Sequence, residues 1–172
     1  MEKNIIKYIK ILNNFIFLII FIFILSLFDK GFDYTDESYY ILSSKYPTKV
    51  ENFVTYFHFI TAFIFKISFE NLLNFRVLGL LILIFSAAFF STHFLKFSLL
   101  KKIDDHYFFY FKIVGIVSII FYYLENLFTP SYNLLNLSLI LLISGAIFRS
   151  FLTDKESRIT FLTISFLYFL LC

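Results

Sequence analysis

The stretch "RVLGLLILIFSAAFFSTHFLK", Arg76 to Lys96, carries no Asp, Glu, Lys or Arg between its two basic ends. At about 1.5 Å per residue, Val77 to Leu95 is long enough to cross a hydrocarbon core of about 30 Å as one helix. The pattern recurs on both sides. Ile11 to Phe28 lies between Lys10 and Asp29, and His106 to Leu124 is interrupted only by Lys112. Pro130 to Phe148 opens on a proline, which a helix start tolerates. Ile159 to Cys172 begins a fifth run after Arg158, and at roughly 21 Å it stops short of a full crossing. The first run follows Lys3, Lys7 and Lys10 as a signal peptide would, but "LSLFDKGF" offers no small-x-small cleavage site, so it reads as an uncleaved anchor. The sequence predicts an all-α, polytopic integral membrane protein. It forms a single module over 1–172, with about five spans at 11–28, 77–95, 106–124, 130–148 and 159–172.

Composition agrees. Of the 172 residues 60% are hydrophobic and 16% charged, against about 25% charged in a globular domain. Mean hydropathy is +0.84. The 28 Phe accompany abundant Ile, Lys, Asn and Tyr, as in chains from AT-rich genomes. Phe number alone therefore does not mark a binding surface. The single cysteine, Cys172, excludes an internal disulfide and a Cys-based metal site. There is no Gly-rich phosphate loop, and the scattered lysines make no nucleic-acid patch.

Phe53 to Phe65, "FVTYFHFITAFIF", is uncharged but too short to span, and runs of that length are more often interfacial or re-entrant. The positive-inside rule decides its place. With the N-terminus cytoplasmic and this segment on the outer surface, Lys3, Lys7, Lys10, Lys96, Lys101, Lys102, Arg149, Lys155 and Arg158 all fall inside. Lys112 snorkels to the same side. If the segment crossed instead, the later basic clusters would move outside. The remaining stretch, 29–75, is then one outer loop.

That loop concentrates acids: Asp29, Asp33, Asp36, Glu37, Glu51 and Glu70. Thr35 suits the cap of a helix whose first turn holds Asp36 and Glu37, and Pro47 ends it. The helix macrodipole favours carboxylates there. Tyr39, Leu42, Ser43 and Tyr46 share a face, as in an amphipathic helix lying on a membrane. Two such helices are expected, near 36–46 and 52–67.

A first span, then "DYTDESYYIL" (Asp33 to Leu42), then "KISFENLLNFRVLGLLILIF" (Lys66 to Phe85), resembles the start of the GT-C superfamily of lipid-sugar-dependent glycosyltransferases. "FTPSYNLLNLSLILL", Phe128 to Leu142, is similar to that family's outer turn and fourth span. Asp36 and Glu37 match its acidic pair and Arg76 its arginine. Where related sequences often carry His-Pro-Pro, this one has Phe53, Val54 and Thr55. Members are several times longer, so the chain reads as an N-terminal fragment, inactive alone.

The resemblance implies transfer of a sugar from a polyprenyl-phosphate donor to an acceptor at the outer face of a bacterial inner or plasma membrane. Asp36 would be the base that takes the acceptor's proton. Glu37 would assist or bind a divalent cation. Arg76 would pair with the donor phosphate or with an acid. Simpler readings stand beside these: outer loops tolerate acids, carboxylates favour a first helical turn, and an arginine at a span edge anchors it. His58 reads as structural, and His93 as a boundary residue. Tyr107, Tyr122, Tyr123 and Tyr132 suit an interfacial aromatic belt. The alternative function is a small multi-pass membrane scaffold or transporter-like protein without enzymatic activity.

Overall fold

The computed structural model describes residues 2–26, 36–49, 56–98, 105–123 and 129–152. Every regular element among them is helical. In order these are α1 (Glu2–Ser26), α2 (Asp36–Lys45), a 3-10 turn (Pro47–Lys49), α3 (Phe57–Ile67), α4 (Leu72–Ser98), α5 (Asp105–Tyr123) and α6 (Tyr132–Leu152). The all-α expectation holds. Of the five expected spans, two described helices, α4 and α6, are long and apolar enough to cross a membrane. The 159–172 run, Thr35, Asp29 and Asp33 lie outside the described residues, as do 50–55.

The chain forms two compact units, Met1–Phe32 and Asp33–Cys172. In the first, α1 exposes Ile11, Phe15, Leu18, Ile19, Ile22 and Phe23. The second is built on α4, which packs against α6 and α5.

Two sets of contacts fix the direction of α4 and α6. At one end Arg76 of α4 and Thr129, just before α6, meet on the same carboxylate, that of Glu37. At the other, Phe97 of α4 lies 5.1 Å from Phe148 and 5.5 Å from Phe151 of α6, ring centre to ring centre. The two helices therefore run parallel. Leu80, Leu83 and Ala87 of α4 and Leu134, Leu135, Leu141 and Ala146 of α6 are buried where the two helices pack. Gly145 allows the approach: a Cβ there would stand 2.7 Å from Phe89 Cδ1 and 3.1 Å from the Phe90 Cα. Gly115 of α5 is equally tight, 2.7 Å from Ser91 Oγ. Small residues at crossings are how helices pack closely in lipid, where the hydrophobic effect gives no drive between them.

Helix ends depart from the expected boundaries for reasons in their caps. α4 starts at Leu72, five residues before the expected Val77, because Asn71 Oδ1 accepts the Asn74 N–H (3.2 Å) and its carbonyl accepts that of Phe75 (2.9 Å). Arg76 thus sits one turn inside the helix rather than at its opening. α6 starts at Tyr132, not Pro130, since Ser131 Oγ caps the Leu134 N–H at 3.3 Å. α2 stops before Pro47, as expected.

The α3–α4 turn is unusual. The Glu70 N–H reaches the Phe65 carbonyl (3.1 Å) and the Phe69 N–H that of Lys66 (3.0 Å). This is the Schellman pairing that closes many helices. Its left-handed position favours glycine, yet here Phe69 takes φ 58° and Glu70 φ 57°. Left-handed backbone costs a side-chain-bearing residue about 1–2 kcal/mol.

Candidate functional site

Of the carboxylates singled out in the sequence, Glu37 is the one that the fold draws inward among the described side chains. It projects from the first turn of α2 and is 2% exposed, as are Arg76 and Thr129. Arg76 Nε donates to Oε1 at 2.9 Å and its Nη2 donates to Oε2 at 2.8 Å. This is the two-pronged fit of a guanidinium to a carboxylate. The Thr129 hydroxyl donates to the same Oε1. One carboxylate therefore ties the loop helix α2 to α4 and to the segment that leads into α6.

Of the two partners that the sequence left open for Arg76, the acid is the one it meets. Both Glu37 oxygens are engaged, so as folded this carboxylate orients a guanidinium. Asp36 is the first residue of α2, one position before Glu37. Its side chain lies outside the described residues.

The inward face of α2 is its polar one. Ser43 and Ser44 are buried with Glu37, while Tyr39, Leu42 and Tyr46 are exposed. The face expected from the sequence is thus Tyr39, Leu42 and Tyr46 without Ser43, whose hydroxyl donates to the Tyr40 carbonyl at 3.0 Å. Tyr40 turns toward Tyr132 of α6, with ring centres 6.5 Å apart. α3 closes the assembly: Phe57 and Phe65 are buried, and Phe65 meets Phe75 edge-on at 5.1 Å. His58, read as structural, is buried in α3 against the Phe59 ring (4.2 Å).

At the opposite end of α4 the charges are cations. Lys96 and Arg149 lie in the last turns of α4 and α6. Together with Lys112 of α5 they are close enough to His93 to act on it electrostatically. His93 lies five residues from the end of α4, whereas Lys112 is the eighth residue of the 19-residue α5. Among the described residues no group of three or more His, Cys, Asp or Glu is placed to hold a metal ion.

Sequence reasoning missed Thr129. A neutral threonine before a proline carries no charge signal, though "TPS" is a helix-start pattern whose polar atoms need partners when buried. No family model, no curated protein and no solved structure matches the chain.

Proposed function

We propose that the chain is a module of a membrane glycosyltransferase that takes a sugar from a polyprenyl-phosphate donor, its first loop lying at the outer face. The observation that carries this reading is the Glu37–Arg76 pair, which holds the acidic start of α2 against the start of an apolar helix. Parallel α4 and α6, with α5 returning between them, fit five spans with the N-terminus cytoplasmic. The cations Lys96, Lys112 and Arg149 then share the inner side.

In this reading Asp36 is the base. Its carboxylate takes the proton of the acceptor hydroxyl as that oxygen attacks the anomeric carbon. The bond to the donor phosphate breaks, and the polyprenyl phosphate leaves with the electron pair. Glu37, committed to Arg76 and Thr129, is a positioning residue that fixes the first turn of α2, and Arg76 supplies the fixed charge. Should the site take a divalent cation, Asp36 is the member of the acidic pair not committed to Arg76 in this reading.

A transporter would carry ionisable groups near mid-membrane. Along α4 and α6 the described ones are Arg76, His93, Lys96 and Arg149, all toward the ends, and the buried middle offers Ser86 and Ser138. The test is transfer of a radiolabelled sugar from a polyprenyl-phosphate donor in membranes that carry this module within its full natural reading frame, since the module alone is expected to be inactive. Asp36→Asn keeps shape and polarity and should lower the rate by about 10²-fold or more. Asp29→Asn should change it little. Equal effects would contradict the assignment of the base, and no transfer at any level would favour a scaffold.

A further inference from the structure

Phe69 is 87% exposed, more than any other large apolar residue described, and it occupies the left-handed position where the turn favours glycine. A strained backbone that holds a bare aromatic ring outward gains nothing from its own fold. The ring continues an exposed stripe along α3, formed by Tyr56, Phe59, Phe63 and Ile67 at helical spacing, and is flanked by Lys66. Three residues later the apolar helix α4 begins. Aromatic rings with a nearby lysine, at the end of a spanning helix, are the composition of a bilayer's interfacial zone.

We propose that the α3–α4 turn is a membrane-interface anchor: Phe69, with Phe63 and Ile67, inserts at the headgroup–acyl boundary of the bilayer that α4 crosses. The anchor sets the depth of Arg76, which lies in the second turn of α4, and with it the depth of the Glu37 clamp. The proposal rests on α4 spanning the membrane, and the experiment separates the two claims.

The chain contains no tryptophan, so Phe69→Trp provides a single fluorophore. Phe85→Trp, at an exposed position in the middle of α4, reports on the span. Each variant is reconstituted in phosphatidylcholine vesicles with bromine at shallow or deep acyl positions. Tryptophan at position 69 should emit blue of free tryptophan and be quenched more by shallow than by deep bromines, with the order reversed at 85. Phe63→Trp should behave as 69 does, which guards against a local effect of one substitution. Water-like, unquenched emission at 69 and 63 with quenching at 85 would overturn the anchor and leave the span standing. A blue shift without bromine dependence would assign the surface to a protein partner and overturn the anchor equally. Loss of quenching at 85 as well would overturn both.

Discussion

The two ends of the α4–α6 pair are held by opposite chemistry. At one end a carboxylate, a guanidinium and a hydroxyl meet in a buried network. At the other Phe148 lies among Phe90, Phe94 and Phe97 at 5.1–6.0 Å, ring packing that makes contact beside the cations Lys96 and Arg149. In a bilayer, ring packing competes with equally apolar lipid, so the aromatic end is adaptable. The ionic end has one good geometry, and every departure from it leaves a buried charge uncompensated. The first end specifies the arrangement, and the second adds contact area.

Substitutions at the ionic end should therefore do the most damage. Arg76→Met strands the Glu37 carboxylate and should lower unfolding free energy in mixed micelles by about 3–5 kcal/mol. Thr129→Val removes a single hydrogen bond to a charged acceptor while Arg76 still holds it. The expected loss is about 1.5–3 kcal/mol, with the fold retained by circular dichroism. At the aromatic end Phe148→Leu keeps the apolar volume and loses the ring contacts. It should cost about 1 kcal/mol, read from the same denaturation curves. If Phe148→Leu proved as damaging as Arg76→Met, the contrast between the ends would fail.

The smallest effect should have the opposite sign. Phe69→Gly relieves one left-handed residue whose side chain is 87% exposed, so stability in micelles should rise by about 1 kcal/mol. A loss of that size would mean that the ring packs within the fold. In vesicles the same change should cancel part of the gain, because the interface loses its aromatic contact.

Much of this was legible in the sequence. Uncharged runs, between Arg76 and Lys96 and between Glu125 and Arg149, located α4 and α6, and the Asp36–Glu37 pair and Arg76 stood out as charges beside apolar runs. The sequence could not say which acid turns inward, since neighbours on a helix point about 100° apart, and packing against α4 selects Glu37. It misplaced Arg76 by a turn because a hydropathy edge marks where charge stops, whereas the helix begins where Asn71 caps it. Ser43 was assigned to the outward face by spacing, yet it is buried on the side of α2 that holds Glu37 and Ser44. Phe69 carried no stop signal, because helix ends are read from Gly or Asn and this turn uses neither in its left-handed position.

The central claim is that Glu37 and Arg76 act as one unit that ties the loop to the helices, and a double-mutant cycle tests it most directly. Glu37→Met and Arg76→Met are made singly and together, and unfolding free energies are compared in the same micelles. Removing both charges leaves no unpaired ion, so the double variant should be more stable than either single variant, with a coupling of about 2–3 kcal/mol. Single effects that add to within about 0.5 kcal/mol would contradict the account.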